Sequence, residues 1–182
     1  MLSQLTDKDL VDQIKKGNIK AFDEFVKRFE KPVSNVIIGM LGNTQDTELI
    51  AQDVFIRFYQ TIDKFRQESG PKTYLTRMAI NMSLNEIKRQ KRSREKLLYS
   101  DDSFLQLKSE GHNPAEDFDL RDAVQKALQN LDVKHRSVVI LRLIEGYSTR
   151  ETAKILKIPQ GTVLSRLFRA QEQLRDMLKN YL

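Results

Sequence analysis

The chain has 182 residues, 31% of them charged, with a formal net charge of +6. It contains no cysteine, which excludes a disulfide framework and a zinc site built on thiolates. Its first residues, MLSQLTDKDL, lack the apolar core of a signal peptide, and no apolar run approaches the length of a membrane span. We therefore expect a cytoplasmic protein without direct membrane insertion, folded as one large or two small domains.

The charge is distributed in three blocks. Residues 1–96 hold 18 Lys/Arg against 13 Asp/Glu, and residues 120–182 hold 12 against 6, whereas residues 97–119 hold 1 against 6. Two basic blocks separated by an acidic stretch predict two nucleic-acid-binding domains and a linker. The acidic stretch could shield the basic surfaces in the absence of nucleic acid, although a solvated spacer is the simpler interpretation and the one we favour.

The predicted elements are all helices, because glycine is scarce, the four prolines fall at boundaries and no segment alternates with period two for long. The sequence therefore predicts an all-α fold. In chain order, we expect a first helix from Thr6 to before Gly17. A second carries the apolar residues Phe22, Phe25, Val26 and Phe29 and stops at Pro32, and a third runs from Val33 to Gly42. Further helices are expected from Thr44 to Phe65, from Thr73 to Arg94, and from Asn113-Pro114 onward.

Polar and aromatic residues line one face of the helix predicted from Thr73. Residues three or four apart on a helix share a face, and this row consists of Tyr74, Arg77, Asn81, Asn85, Lys88, Arg89 and Arg92. Aromatic, amide and cationic groups in one row are suited to stacking bases and holding phosphates of a single strand. A solvated helix with the tyrosine packed underneath fits the same spacing, and the spacing alone does not decide between the two.

The stretch from Tyr147 to Arg175 has the pattern of a helix-turn-helix. Ser148 and Glu151 form a predicted capping box, Ala153 permits close packing, and Pro159 suits the first position of a second helix. That second helix carries polar and cationic residues suited to base edges and phosphates in a major groove, namely Thr162, Ser165, Arg166 and Arg169. The pattern predicts binding to duplex DNA, with an ordinary helical hairpin bearing a solvated basic face as the alternative.

In the order and spacing of these segments, the chain resembles the extracytoplasmic-function (ECF) sigma factors of bacterial RNA polymerase. The segments that carry the resemblance are Leu49–Phe65, Thr73–Arg92, Leu131–Tyr147 and Gly161–Leu174. The resemblance implies two small helical domains joined by a flexible linker: region two at residues 1–96, the acidic linker at 97–113 and region four at 114–182. It also implies that the chain binds core RNA polymerase and directs promoter recognition, strand opening and transcription initiation.

The resemblance assigns a role to three surfaces. Polymerase binding is implied for Gln52, Asp53, Phe55, Ile56 and Tyr59. Contact with the melted non-template strand at the minus-ten element is implied for Lys72, Thr73, Tyr74, Asn81, Asn85, Lys88, Arg89 and Arg92. Contact with duplex DNA at the minus-thirty-five element is implied for Arg142, Thr162, Ser165, Arg166, Phe168 and Arg169. An anti-sigma factor is a further partner that the resemblance implies.

The chain departs from the family pattern at several positions on these surfaces. Leu49 replaces a common acidic residue, Pro71 a common aromatic residue and Tyr74 the usual tryptophan. Leu164 and Gln171 stand where many members carry lysine or arginine. We expect the two lost cations to weaken phosphate binding and to flatten its salt dependence.

Nothing in the sequence predicts an enzyme. The two histidines, His112 and His135, have no paired cysteines or clustered carboxylates at metal-ligand spacing, and there is no phosphate-binding glycine loop. We therefore expect no cofactor and no metal. Two other functions stay open: a helix-turn-helix repressor or activator that acts without docking as a sigma subunit, and a helical adaptor whose contact with DNA is incidental.

Overall fold

The structure is a computed structural model that describes residues 2–67, 69–100, 120–179 and 181. These residues form helices and turns and no strand, which confirms the all-α prediction. The eight α-helices are α1 (Asp7–Lys15), α2 (Ile19–Leu41), α3 (Gln45–Thr61), α4 (Pro71–Ser100), α5 (Leu120–Asn130), α6 (Val133–Val139), α7 (Thr149–Leu156) and α8 (Gln160–Leu178). A π-helical turn, Ile140–Ile144, follows α6, and a short 3-10 turn, Ile62–Lys64, follows α3.

Helix α1 begins and ends where the sequence predicts. The Thr6 hydroxyl accepts a hydrogen bond from the Asp9 amide at 3.2 Å, and the Asp9 carboxylate accepts one from the Thr6 amide at 3.2 Å. Hydrogen bonding from the Thr6 side chain lowers the pKa of Asp9 below its ordinary value. After the helix, Gly17 has a φ of +84°, a conformation in which a side chain would be strained.

The prediction that Pro32 ends a helix is wrong. Helix α2 runs through Pro32 without a break, although proline has no amide hydrogen to donate to the carbonyl four residues earlier. Residues on both sides of Pro32 are buried along one stripe, including Phe25, Phe29, Val33 and Val36. The burial of this continuous apolar stripe outweighs the roughly 3 kcal/mol that a proline costs in a helix interior.

The first four helices enclose an aromatic core. Phe25 of α2 stacks on Phe58 of α3 with ring centroids 4.7 Å apart and planes within 3°. Phe65, in the loop before α4, packs edge-on against Phe58 at 5.8 Å. Ala51, Phe58, Ile62 and Phe65 are all buried, so the apolar residues of this segment face the core.

The last four helices pack around two smaller apolar clusters. Leu128, Leu131, Val139 and Ala170 form one, between α5, α6 and α8. Val138, Ala153 and Val163 form the other, under the pair α7 and α8. Ile140, Leu141, Tyr147 and Ile155 belong to the same cluster as the aromatic core, so apolar packing is continuous from α1–α4 to α5–α8.

Two predictions of chain organisation extend beyond the described residues. Helix α4 continues to Ser100 and therefore includes the first four residues of the predicted linker. The rest of that linker, and the helix start predicted at Asn113-Pro114, lie outside the part of the chain that the structure describes.

Candidate nucleic-acid interface

The start of α7 confirms the predicted capping box. The Ser148 hydroxyl accepts from the Glu151 amide at 3.2 Å, while the Glu151 carboxylate accepts from the Ser148 amide at 2.8 Å. The hydrogen bond from the Ser148 side chain lowers the pKa of Glu151 below its ordinary value of 4.5. The two reciprocal bonds satisfy amides that a helix N-terminus leaves without partners, and they fix where the helix-turn-helix begins.

The turn between α7 and α8 is closed by a left-handed residue. Lys157 has φ 54° and ψ 47°, and both its amide and the Ile158 amide, at 3.1 Å, donate to the Ala153 carbonyl. Glycine is the usual residue in this conformation, so Lys157 carries a modest backbone cost. Pro159 is the N-cap of α8, which begins at Gln160, so the prediction that Pro159 takes the first helical position is wrong by one residue.

The packed face of α8 fixes which residues point outward. Val163 and Ala170 are fully buried, and Leu167 is half-buried against both clusters beneath the helix. The opposite face exposes Leu164, Ser165, Phe168 and Arg169, with Thr162 and Arg166 half-buried beside them. Five of the six residues predicted to bind the minus-thirty-five element, Thr162, Ser165, Arg166, Phe168 and Arg169, thus lie on α8.

Arg142, the sixth residue of that prediction, is held differently. It lies in the π-helical turn, is half-buried, and donates through Nη1 to the Tyr147 carbonyl. Its guanidinium therefore positions the backbone that leads into α7. A contact with DNA would have to use the remaining donors of the same group.

Helix α4 presents an exposed basic row toward its C-terminal half. Asn81, Asn85, Lys88, Arg89 and Arg92 are all exposed, and the last four line a shallow open groove with Ser93 and Lys96. Arg89 forms a bidentate pair with Glu86, with two N–O distances of 2.7 Å. The Arg89 hydrogen bond lowers the pKa of Glu86 and anchors one cation of the row.

The start of α4 is more enclosed than the row. Tyr74 is half-buried, with its ring centroid 4.7 Å from Phe65 and 6.0 Å from Phe58, so it packs on the aromatic core. The loop before it is attached to α1, because Gln67 donates to Asp12 at 2.8 Å and Lys15 donates to the Phe65 carbonyl at 2.9 Å. Gln67 has a φ of +55°, a left-handed conformation that residues other than glycine rarely adopt.

The C-terminal helices cover part of this same end of α4. The Lys72 ammonium lies 3.3 Å from the Glu145 carboxylate and 5.4 Å from the centroid of the Tyr147 ring. The Tyr147 hydroxyl lies 3.0 Å from the Thr76 hydroxyl in a buried hydrogen bond. Lys72, a residue predicted to contact the minus-ten element, is therefore engaged by the other half of the chain, and Thr73 beside it is half-buried.

A groove runs between α2 and α3. Val26, Glu30, Ser34 and Ile38 line it from α2, and Thr47, Glu48, Ala51, Gln52, Phe55 and Ile56 line it from α3. Among the residues predicted to bind polymerase, Gln52, Asp53, Ile56 and Tyr59 are exposed, with Ile56 at 53%. Phe55 is buried at 6% exposure and lines the groove from α3.

Sequence reasoning missed the contacts that join the two halves. Three side chains donate to backbone carbonyls in the last turn of α2: Gln125 to Ile38 at 2.8 Å, Gln129 to Gly39 at 3.0 Å, and Arg136 to Met40. Helix C-termini leave such carbonyls without partners, and cations are favoured beside them. An available signal was Arg136 standing two residues before the apolar run Val138–Leu141, since an arginine close to a buried stretch needs acceptors.

Gly39 is the backbone counterpart of these contacts. A Cβ atom at Gly39 would lie 2.9 Å from Cδ1 of Ile140, so the Ile140 side chain would have to shift to admit one. Within the described residues, no group of three or more His, Asp or Glu side chains is placed to hold a metal ion. None of the described helices is long and apolar enough to cross a membrane.

Comparison with known families matches two separate parts of the chain. The sigma-70 region 2 model matches residues 25–93, which include α3 and most of α4. The sigma-70 region 4 model matches residues 121–174, which include the helix-turn-helix.

Relatives with both regions match along almost the whole chain. The chain is 30% identical to the RNA polymerase sigma-H factor of Pseudomonas aeruginosa over 98% of its length and 97% of the relative's. It is 31% identical to the ECF sigma factor SigW of Bacillus subtilis (95% and 97%), and 32% identical to the ECF sigma-E factor of Escherichia coli K12 (98% and 97%). The chain belongs to the ECF family of RNA polymerase sigma factors and is an alternative sigma factor.

Solved structures agree with this family. The sigma factor RpoE bound to the anti-sigma factor NepR, from Bartonella quintana, is 26% identical with a TM-score of 0.67, covering 88% of this chain and 98% of that one. The fold also matches CnrH in complex with the cytosolic domain of CnrY, at 22% identity and a TM-score of 0.70, covering 96% and 97%. The family consists of transcription initiation factors and not of enzymes.

Proposed function

We propose that this chain, acting in the cytoplasm, uses three separate surfaces to start transcription. The groove between α2 and α3 docks on core RNA polymerase, the exposed row of α4 holds the melted non-template strand of the minus-ten element, and α8 reads the duplex minus-thirty-five element. The observation that carries the proposal is the exposure of a basic face on each half of the chain, on α4 and on α8. We further propose that the chain acts without catalytic activity of its own, since RNA synthesis belongs to the polymerase.

Helix α8 suits a major groove because its inner face is packed and its outer face is polar and cationic. Arg166 and Arg169 provide donors for guanine edges or phosphates, and Thr162 and Ser165 provide hydroxyl groups. The Ser165 hydroxyl donates to the Thr162 carbonyl at 3.2 Å, which leaves its lone pairs free to accept from a base or a water. A bidentate arginine–guanine pair contributes about 1–3 kcal/mol of discrimination.

Helix α4 suits a single strand because its exposed row combines two amides with three cations. Asn81 and Asn85 can hydrogen-bond to unpaired base edges, while Lys88, Arg89 and Arg92 can hold the phosphates. Capturing unstacked bases in this way offsets the few kcal/mol that unpairing each base costs. Strand opening then follows from preferential binding of the melted state.

The α2–α3 groove suits a protein helix because it combines a buried aromatic floor with exposed apolar edges. Phe55 forms the floor, and Ile56, Tyr59 and Leu49 remain exposed at 53%, 38% and 59% along α3. Apolar groups at helical spacing that the fold does not cover are typical of a surface that receives a partner helix. Leu49, which stands where the family pattern commonly has an acidic residue, offers a partner an apolar contact instead of a charge.

An anti-sigma factor is the second protein partner that we propose. The 26% identical RpoE is solved in complex with the anti-sigma factor NepR, and the match covers 88% of the present chain. Here the two halves already contact each other through Lys72 and Glu145, so strand binding at the start of α4 requires that this ion pair open. A partner that stabilised the closed arrangement would keep the chain from promoters.

A repressor or activator that acts without polymerase is the alternative. The helix-turn-helix has its own capping box and packs with Val138 of α6 in one apolar cluster, which is the observation that favours it. Such a protein would bind a palindromic duplex tightly alone. The sigma function instead predicts an asymmetric bipartite site that is bound strongly only within the polymerase.

Run-off transcription separates these functions. Purified bacterial core polymerase is combined with the full chain on a pool of promoter fragments from the source organism. Transcripts that appear only when the protein is present, with start sites downstream of a shared bipartite element, support the proposal. An absence of transcripts together with tight binding of a palindromic duplex by the protein alone would favour the repressor.

A further inference from the structure

Two large apolar side chains stand on the outer face of the α8 recognition helix. Leu164 is 55% exposed and Phe168 is 62% exposed. They are four residues apart, so they are neighbours on one helix face, about 6 Å apart along the axis. Both lie in the first half of α8, the part of a recognition helix that meets base edges.

The fold has no need of this pair. The inner face of α8 is supplied by Val163, Leu167, Ala170 and Leu174, which belong to or pack against the two C-terminal clusters. Leu164 and Phe168 belong to neither cluster. Their exposure leaves apolar surface in water that a bound partner would bury.

The charges around the pair indicate what covers it. Arg166 and Arg169 flank it, and Ser165 lies between the two apolar residues. A face that mixes cations with apolar groups complements a polyanion that also offers apolar contacts. In the major groove the apolar group is the C5-methyl of thymine, and the aliphatic and aromatic side chains that contact it add base discrimination.

We propose that Leu164 and Phe168 read thymine methyl groups in the duplex element bound by α8. This inference rests on the proposed function of α8 and adds the bases that the helix selects. Leu164 is 55% exposed and has no charge or donor for a phosphate or guanine, so it offers the duplex an apolar contact of the kind that an A·T pair accepts. The recognised element therefore contains one or two thymines, on either strand, within about two base steps of each other.

The test replaces thymine by uracil, which removes the methyl group and nothing else. Holoenzyme made from core polymerase and the full chain first selects duplexes randomised across the minus-thirty-five region. The selected duplex is then resynthesised with deoxyuridine at one thymine at a time. We expect about a fourfold loss of affinity at one or two positions, which corresponds to about 0.8 kcal/mol for one methyl group removed from water.

Two variants assign the effect to the pair. In Leu164→Ala or Phe168→Ala holoenzyme, the loss caused by deoxyuridine at the matching position should disappear, while the salt dependence of binding stays unchanged because no phosphate contact is lost. Met177→Ala is the matched control, since Met177 is a 38% exposed apolar residue further along the same helix. It should keep the full sensitivity to deoxyuridine.

The outcomes separate this inference from the proposed function. Transcription with a selected element that holds no A·T pair, or binding that ignores every deoxyuridine, would overturn the methyl contact while leaving the sigma function intact. In that case the apolar pair faces a protein. A holoenzyme that selects no element and yields no transcripts would overturn both.

Discussion

Arg136 offers the sharpest test of how the two halves of the chain are joined. It is 7% exposed, and its guanidinium donates to the Met40, Gln129 and Leu131 carbonyls and to the Gln129 side chain. Burial lowers its pKa from the ordinary value, but an arginine remains charged at any pH at which the protein folds. Arg136→Met keeps the length of the side chain and removes every donor.

The expected loss of stability follows from the backbone carbonyls that the substitution leaves without a hydrogen-bond donor. Each buried acceptor left without a donor costs about 1–3 kcal/mol, and three carbonyls lose theirs. Water reaching some of them, and the avoided desolvation of a cation, offset part of this cost. We therefore expect the free energy of unfolding to fall by about 3 kcal/mol, and the melting temperature by about 6–12 °C for a chain of this size.

The assay is urea unfolding of the full chain followed by circular dichroism, with hydrogen exchange at the end of α2. Arg150→Met, which changes an exposed arginine on α7, is the control and should stay within about 0.5 kcal/mol of the parent. Exchange should accelerate at the Gly42 amide, which donates to Ile38 in the turn next to the Met40 carbonyl. A fall in the free energy of unfolding below about 1 kcal/mol, with unchanged exchange, would refute the idea that Arg136 caps the end of α2.

Four further predictions test the surfaces separately. The capping bond lowers the pKa of Glu151 in the folded protein, so carboxyl NMR should show Glu151 titrating below 4.5. The stabilisation from this bond is present above the unfolded pKa of 4.5 and is lost as the pH falls through the folded pKa. Arg169→Ala should reduce the salt slope of holoenzyme binding to the minus-thirty-five duplex by about one. Ile56→Asp should weaken binding to core polymerase at least about tenfold in a fluorescence titration, without unfolding the exposed site. Glu145→Gln should release Lys72 and raise affinity for a minus-ten single strand about threefold.

Each of these predictions has a result that contradicts it. A Glu151 that titrates at or above 4.5 would mean that the capping box does not persist in solution. An unchanged salt slope would place Arg169 away from phosphates, and full-strength polymerase binding by the Ile56 variant would move docking off the α2–α3 groove. Equal single-strand affinity of the Glu145 variant and the parent would show that the ion pair does not limit access to α4.

The helix-turn-helix illustrates what short-range sequence determines. The Ser148–Glu151 box, the small Ala153 and the apolar spacing of α8 act within a few residues of each other, so their pattern is legible without the fold. The capping box of α1 is local in the same way. The faces of α4 and α8 follow from helical periodicity once the helices are known, which is why most predicted site residues are exposed.

Tertiary structure alone decided the contacts that are remote in sequence. Pro32 remains inside α2 because buried side chains on both sides of it, such as Phe29 and Val33, hold the helix together, and a local rule for proline does not include that energy. Phe55 and Tyr74 are core-facing because neighbouring helices cover them. The hydrogen bond from Arg136 to Met40 spans 96 residues, and a capping donor at that separation leaves no periodic signal in the chain. Backbone carbonyls are present at every position, so only the fold selects which of them receives the donor.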